Sequence, residues 1–295
     1  MSAGAEVAFP FEPVSELDPT CFVFGGVAFE MCPAPGLSWS VGNEHRLFGG
    51  AYATSPVAGR VHCVVSPAPE LEITVADGFT REIRWEWTGD VAHVTTARAR
   101  AELRRLGPGC YAASALVVPS DSGCSALVTA LTGAVVSREG GLVLHAAGVE
   151  IDGRASLFIG PSGAGKTTAA NLCQGARWMA CDRAVVYPTP LGWYAAGVVG
   201  GDAAELMLPR AAGRVFPLGT VSRIRHATER VTLREATPVE AVRYIRESLQ
   251  AKRASEDEEA ARLQAIVSFH ERMPLTVLET RLGESLISVL RRKKR

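Results

Sequence analysis

Short apolar runs separated by turn residues dominate the first 119 residues of the chain. Asp77-Gly78 and Gly89-Asp90 lie between alternating segments, a position that is typical of hairpin turns. We expect one helix, Thr96–Leu106, which ends at Gly107-Pro108-Gly109. The pattern therefore predicts a mostly antiparallel β domain at residues 1–119. Its strands are predicted from β-branched and aromatic runs: Cys21–Phe24, Val27–Met31, Arg60–Val65, Leu71–Val75, Glu82–Trp87 and Val91–Thr95.

Helical periodicity appears only after residue 119 and predicts a second domain, residues 120–295, with a helical C-terminal part. Thr237 before Pro238 predicts an N-cap followed by proline at the first helical position, and Asp152-Gly153 predicts a hairpin turn. Together the two halves predict an α+β fold. The predicted helices are Cys124–Val136, Pro238–Arg253, Ser255–Met273 and Ser285–Leu290. The predicted strands are Leu142–His145, Val149–Ile151, Ser156–Ile159, Trp178–Ala180, Ala184–Tyr187 and Leu275–Glu279.

Composition excludes several classes of protein. Hydrophobic residues make up 47% and charged residues 21% of the 295 positions, as in soluble globular proteins. The 31 basic and 31 acidic residues cancel, so we expect no nucleic-acid partner. No apolar run approaches the roughly 20 residues that span a bilayer, and the N-terminus lacks the pattern of a secretory signal. The seven cysteines form no C-x-x-C pair. We expect a reduced, cytoplasmic protein without a membrane partner, and a homo-oligomer is possible.

A phosphate-binding motif lies between the predicted strand Ser156–Ile159 and a predicted helix, Ala169–Leu172. The segment Gly160–Thr167 matches G-x-x-x-x-G-K-[ST] without a mismatch. Glycines allow such a loop to curl so that its backbone N–H groups point at phosphate oxygens, and the helix that follows adds its positive end. The motif predicts binding of ATP, with GTP not excluded, although no N-K-x-D motif of Ras-like GTPases follows. The predicted nucleotide-binding residues are Gly160, Pro161, Ser162, Gly163, Ala164, Gly165, Lys166, Thr167 and Thr168.

Lys166 and two further residues are predicted to complete the phosphate site. Lys166 is the only lysine in the first 251 residues, which favours a need for a compact ammonium rather than a guanidinium fork. We expect it on a solvent-facing loop, where it reaches the β- and γ-phosphates, while the Thr167 hydroxyl binds Mg²⁺. A carboxylate on a neighbouring strand is expected as the second Mg²⁺ ligand. Asp182 is the first candidate and Asp202 the second, and either could instead lie in an ordinary turn or loop.

Three stretches of the chain are similar to the HPr kinase/phosphorylase-like family: Leu144–Ile151, the motif segment Gly160–Thr167, and Ala180–Val186. This resemblance implies a P-loop kinase core related in fold to phosphoenolpyruvate carboxykinase. It also implies transfer of the ATP γ-phosphoryl group to a serine hydroxyl, with His145 beside the transferring phosphate. Without the resemblance, His145 would be expected to be an ordinary core histidine. The predicted catalytic residues are His145, Lys166 and Asp182.

Two positions depart from the pattern of this family. Cys181 stands where the family has an aspartate that looks like the acid/base acting on the acceptor hydroxyl, and Thr168 stands where an acidic residue often follows the loop. A thiol with a pKa of about 8.5 is a poor base at neutral pH. The hypothesis is an ATP-dependent kinase with a protein, peptide or small-molecule acceptor. The alternatives are a degenerate nucleotide-binding module without transfer and an NTP-hydrolysing scaffold.

The first domain carries no catalytic constellation that can be recognised from the sequence. His45, His62 and His93 are isolated along the chain. Each is expected to be an ordinary surface or core residue.

Overall fold

The fold was obtained as a computed structural model, which describes residues 21–35, 37, 56–71, 83–198, 214–227, 231–249, 256–281 and 285–292. The predicted turn Asp77-Gly78, most of the predicted strand Leu71–Val75, His45 and Asp202 lie outside these residues. Within them the chain is α+β, with two mixed sheets and a few helices. None of the helices in the described part of the chain is both long and apolar enough to cross a membrane.

Seven strands form the first sheet, in the order β1-β2-β3-β7-β6-β5-β4. The pairs β2–β3 and β3–β7 are parallel, and the other four pairs of this sheet are antiparallel. The expected antiparallel pairing therefore holds for the outer strands, whereas the centre is parallel. The strands are β1 (Cys21–Phe24), β2 (Val27–Pro33), β3 (Gly59–Pro67), β4 (Arg84–Thr88), β5 (Val91–Thr95), β6 (Ala99–Gly107) and β7 (Cys110–Val117).

The predicted helix Thr96–Leu106 is wrong, because this segment forms strand β6. Ala101 and Leu103 are buried, whereas Arg100, Glu102 and Arg104 between and around them are exposed. This alternation is the period of a strand with one face in the core. Alanine, arginine, glutamate and leucine favour helices in isolation, but pairing with β5 and β7 on both edges overrides that local preference.

Helix α1 (Asp121–Arg138) confirms the predicted helix Cys124–Val136 and packs on the first sheet. Its buried Leu127, Leu131 and Val135 belong to the same apolar core as the inner face of that sheet. Ser120 begins the helix by accepting a hydrogen bond from the Gly123 amide at 3.2 Å. The predicted domain boundary at residue 119 stays a prediction. Helix α1, which follows it, buries one side against the first sheet.

Eight strands form the second sheet, and five of them, including β9, close a ring. Strand β9 is antiparallel to β8 and parallel to β13. The pairings of β8 with β11, β11 with β12, and β12 with β13 then close a ring that returns to β9. Strand β10 extends the sheet beyond β8, and β15 and β14 extend it beyond β13. The strands are β8 (Leu142–Ile151), β9 (Arg154–Ile159), β10 (Arg177–Ala180), β11 (Arg183–Thr189), β12 (Gly192–Val198), β13 (Val215–His226), β14 (Thr232–Glu235) and β15 (Thr276–Thr280).

The remaining helices are α2 (Lys166–Asn171), α3 (Pro238–Ser248), α4 (Glu256–Arg272) and α5 (Ile287–Arg292). The predicted cap of α3 is confirmed, because the Thr237 hydroxyl accepts from the Glu240 amide and the Glu240 carboxylate accepts from the Thr237 amide. Helix α3 ends at Ser248 and not at Arg253, since Leu249 is extended and pairs with Leu144 of β8. Helices α3 and α4 pack their apolar faces into the core that lines the ring of strands.

Two leucines of β6 distinguish the observed strand from the helix that the sequence predicted. Leu103 and Leu106 would share one face of a helix, but in the strand Leu103 is buried and Leu106 is 46% exposed. We expect Leu103→Ala to lower the free energy of unfolding by about 2–5 kcal/mol, and Leu106→Ala by less than about 0.5 kcal/mol. Urea unfolding of both variants measures the difference. Equal losses would contradict the strand.

Candidate functional site

The motif segment leaves the end of β9 as a tight loop and enters α2 at Lys166. Gly163 and Gly165 have φ angles of 77° and 85°, a region that other L-residues seldom adopt. The Ala164 amide donates to the Pro161 carbonyl at 3.2 Å, which closes the loop on itself. The sequence prediction of a strand, a loop and a helix in this order therefore agrees with the structure, although α2 has only six residues.

Lys166 is buried, which corrects the expectation that it faces solvent. Its side chain is 8% exposed, and Nζ donates to the carbonyl oxygens of Gly160 and Pro161, both at 3.0 Å. Burial lowers the pKa of Lys166 below its usual range, Asp182 opposes this shift, and Arg223 adds to it. The negative charge near Lys166 therefore does not offset the cost of burying its ammonium group.

His145 and Asp182 come together although 37 positions separate them along the chain. Their Nδ1 and Oδ1 atoms lie 3.0 Å apart. The pairing of β8 with β11 places Arg183 opposite His145, and the Ala146 amide donates to the Asp182 carbonyl at 3.2 Å. Strand pairing thus holds the turn between β10 and β11 against the middle of β8.

The imidazole of His145 is held in its neutral form. Burial lowers the pKa of His145, the positive charges of Lys166 and Arg183 lower it too, and the Asp182 carboxylate opposes the shift. A neutral imidazole that donates its Nδ1 hydrogen to Asp182 carries a lone pair on Nε2. This ring can therefore accept a proton from a hydroxyl group at neutral pH.

Two arginines without a predicted role contribute positive charge here: Arg223 acts on Lys166, and Arg183 acts with Lys166 on His145. Arg223 of β13 is the parallel-register partner of Ile159, the last residue of β9, and its Nη2 lies 3.1 Å from Glu247 Oε2. Its guanidinium stacks over the Tyr244 ring at 4.7 Å. Arg183 follows Asp182 and begins β11. We refer to Lys166, Arg183 and Arg223 as the cation cluster.

The cation cluster has more donors than acceptors. Among the described residues, no acceptor reaches the buried Nε of Arg183 or the buried Nε and Nη1 of Arg223. Asp182 Oδ2 is 3.7 Å from the Nε of Arg183, which is too far for a hydrogen bond. Buried donors without acceptors are rare and costly. One sequence signal could have revealed Arg223: it and Arg225 alternate with the buried residues Ser222 and Ile224 along this strand.

The other predicted residues surround this cluster. Thr167 is half-buried and Thr168 exposed in the first turn of α2, and Asp182 Oδ2 lies 3.7 Å from the Nε of Arg183. A hydroxyl and a carboxylate supply oxygen ligands of the kind that Mg²⁺ binds, and the assignment of Thr167 and Asp182 to this ion stays a prediction. Cys181, beside Asp182, packs against the apolar cluster under α2. His226, which the sequence analysis did not consider, lies against Gly165, where an added Cβ would be 3.6 Å from its Cε1.

Comparison with solved structures finds the HPr(Ser) kinase/phosphatase from Coxiella burnetii. The match covers 52% of this chain and 90% of that chain, with 13% sequence identity and a TM-score of 0.31. So low a TM-score establishes neither membership of that family nor a shared activity. No protein-family model matches the sequence, and no curated protein matches it.

The electrostatic account of His145 predicts its titration. In the nucleotide-free chain, we expect the His145 ring to titrate below about 6.5, the usual histidine value. Asp182→Asn removes a charge that raises this pKa, so the midpoint should move further down. Ring-proton chemical shifts of His145 measured against pH by NMR report both values. A rise of the His145 midpoint in Asp182→Asn would contradict the account.

Proposed function

We propose that this chain is an ATP-dependent phosphotransferase that moves the γ-phosphoryl group to a hydroxyl, most simply a serine hydroxyl, of a protein, peptide or small-molecule acceptor. The observation that carries the proposal is the cation cluster beside the motif loop. Lys166 is buried and donates to the carbonyl oxygens of Gly160 and Pro161, and within the described part of the chain the buried Nε of Arg183 and the buried Nε and Nη1 of Arg223 have no acceptor. A polyanion next to the loop would supply the missing negative charge.

The triphosphate of ATP matches this shortage of acceptors in charge and in position. The glycines at positions 163 and 165 allow the loop to turn its backbone N–H groups toward one point. Lys166 contributes a compact charge to the β- and γ-phosphates, and the arginines contribute a positive field. Mg²⁺ held by Thr167 and Asp182 would neutralise charge that develops on the bridging and terminal oxygens.

The His145–Asp182 pair supports transfer to a hydroxyl rather than binding alone. A neutral imidazole whose Nδ1 is held by a carboxylate is the usual arrangement of a general base. The base that the family resemblance led us to seek at position 181 is then supplied by His145. In this assignment Cys181 has no part in proton transfer, which is consistent with its packing against apolar side chains.

A nucleotide-binding module without transfer is the second candidate, and one observation favours it. Position 181 carries a thiol in place of the expected carboxylate, so the base depends on His145 alone. Such a module would bind Mg·ATP through the same loop and the same cation cluster, so only a measurement of transfer separates the two candidates.

Nucleotide binding should depend on the cation cluster. We expect Lys166→Ala to weaken Mg·ATP binding by roughly tenfold or more, because a hydrogen bond to a charged group contributes about 1.5–3 kcal/mol. Arg223→Gln should cause a smaller loss, because Arg223 acts through its charge. Titration calorimetry with Mg·ATP measures both affinities.

The matched control is Arg234→Gln, which removes an exposed arginine of β14 that pairs with Glu240 of helix α3. Its affinity for Mg·ATP should equal that of the wild type. The fold should survive Lys166→Ala, because burial lowers the pKa of Lys166 and the folded chain therefore disfavours its charged form. Urea unfolding of the variant checks this. If Lys166→Ala bound Mg·ATP with the affinity of the wild type, the assignment of the phosphate site would be wrong.

Phosphoryl transfer should depend on His145 more strongly than ATP binding does. We expect His145→Ala to slow transfer by about 10²–10⁴-fold, the usual contribution of a general base, with less than a tenfold change in Mg·ATP affinity. The measurement is incorporation of ³²P from γ-labelled ATP into a panel of serine-containing peptides and proteins, for the wild type and the variant. Tight ATP binding with no labelling by the wild type would favour the nucleotide-binding module, and phosphate release without an acceptor would favour an NTP-hydrolysing scaffold.

A further inference from the structure

Three side chains with metal-binding atoms meet on the outer face of the first sheet, away from the cation cluster. Glu30 and Cys32 lie two residues apart on β2, and His62 lies on β3. The parallel register makes Glu30 the direct partner of His62. Sequence analysis treated His62 as isolated, because 30 residues separate it from Cys32 and only strand pairing brings them together.

The scaffold under these three side chains is rigid. Phe29 and Met31, which alternate with Glu30 and Cys32 on β2, are buried in the core, and so are Val61 and Cys63 on either side of His62. Both strands are paired on both edges, β2 with β1 and β3, and β3 with β2 and β7. The backbone positions of Glu30, Cys32 and His62 are therefore fixed before any ligand binds.

The His62 ring lies between the other two donors. Its Nδ1 lies 3.1 Å from Glu30 Oε2 and its Nε2 lies 3.9 Å from Cys32 Sγ, and one metal ion can bind only one of these two nitrogens. One donor atom from each of the three residues can be chosen so that all lie within 4.8 Å of one another. Donors bound to tetrahedral Zn²⁺ are about 3.3–3.6 Å apart, as the usual bond lengths of about 2.0–2.3 Å require. Rotation of the half-exposed Glu30 and His62 side chains would bring the three donors to these separations.

The kinds of donor narrow the choice of metal. A thiolate, an imidazole and a carboxylate together form a set of sulfur, nitrogen and oxygen ligands, which suits Zn²⁺ and does not suit Mg²⁺ or Ca²⁺. Glu30 and His62 are each 38% exposed, so a cation can reach the site from solvent. Three protein ligands leave one tetrahedral position for water.

We propose that Glu30, Cys32 and His62 form a Zn²⁺-class metal site on the outer face of the first sheet. The site is independent of the proposed phosphotransferase activity, since it shares no residue with the motif loop or the cation cluster. The neighbour Cys63 is not a ligand, because it alternates with His62 along β3 and its side chain is buried in the core on the opposite face of the sheet.

Cobalt titration of the full chain tests this site. The reduced, EDTA-treated protein is titrated with Co²⁺ in the absence of nucleotide. We expect about one Co²⁺ per chain, with a thiolate-to-cobalt charge-transfer band in the near ultraviolet that Zn²⁺ abolishes. Cys32→Ser should remove the band, and His62→Gln and Glu30→Gln should each weaken Co²⁺ binding by about tenfold or more.

Two variants on the same sheet serve as matched controls. Cys110→Ser removes an exposed cysteine of β7, and His93→Gln removes an exposed histidine of β5 that lies between two glutamates of the neighbouring strands. Both should keep the band and the affinity, as should Lys166→Ala. The absence of a thiolate band in the wild type, or its survival in Cys32→Ser, would overturn the proposal.

Alkylation of the wild-type chain gives a second test that needs no variant. Zn²⁺ should slow the reaction of Cys32 with iodoacetamide by at least about tenfold, as followed by peptide mass spectrometry, because a metal-bound thiolate is protected. The exposed Cys110 should react at the same rate with and without Zn²⁺. Equal rates for Cys32 under both conditions would also overturn the proposal.

Discussion

Strand β9 is hydrogen-bonded along both edges, to β8 on one side and to β13 on the other, and the candidate site depends on this pairing. The motif loop leaves the end of β9, so its starting point is fixed by two ladders. Strand β8 continues past β9 to pair with β11, which brings His145 beside Asp182. Strand β13 runs parallel to β9 and carries Arg223 to the last residue before the loop. In this way the His145 imidazole, the Asp182 carboxylate and the Arg223 guanidinium, from three separate parts of the chain, are held around the loop that carries Lys166.

The electrostatics of the site follow from this geometry. Two members of the cation cluster have polar partners that offset part of the cost of burial: Lys166 donates to two carbonyl oxygens, and Arg223 pairs with Glu247. Burial is the main cause of the lowered pKa values of both Lys166 and His145. Arg223 lowers the pKa of Lys166 further, Lys166 and Arg183 lower that of His145, and the charge of Asp182 raises both. The same positive charges that would attract a phosphate group therefore favour the neutral form of His145.

The first sheet is tied to the second through a shared core. Val185 and Tyr187 of β11 pack with the inner face of the first sheet and with α1. The Tyr187 ring is fully buried and its hydroxyl donates to the Pro56 carbonyl at 2.8 Å. The backbone turn at Gly26 lies against the same ring, where any side chain would collide with it. These contacts leave the outer face of the first sheet open, and that face carries Glu30, Cys32 and His62.

Much of the local structure was readable from the sequence, since caps, turns and motifs act over a few residues. The hairpin at Asp152-Gly153, the capping box at Thr237 and the strand–loop–helix around Lys166 all follow from neighbouring residues. The sequence also named Asp182, as the carboxylate expected beside the motif loop, and His145, through a family resemblance, but it could not measure the 3.0 Å between them. It misassigned β6, because the residues of that segment favour a helix when their partners are ignored.

Only the tertiary structure decided which distant residues meet. Arg223 joins Lys166 and His62 joins Cys32 through strand registers, and a register depends on which strands are neighbours and not on the local sequence. Burial was equally out of reach, since the solvent-facing lysine that the motif suggested is covered by its own loop. The sequence by itself determined the caps, the turns, the motif and the chemistry of single residues, but it misassigned β6 and did not predict β7, β12, β13 or β14. The pairing of β8, β9 and β13 decided the site, because hydrogen bonding between strands sets distances that spacing along the chain does not contain.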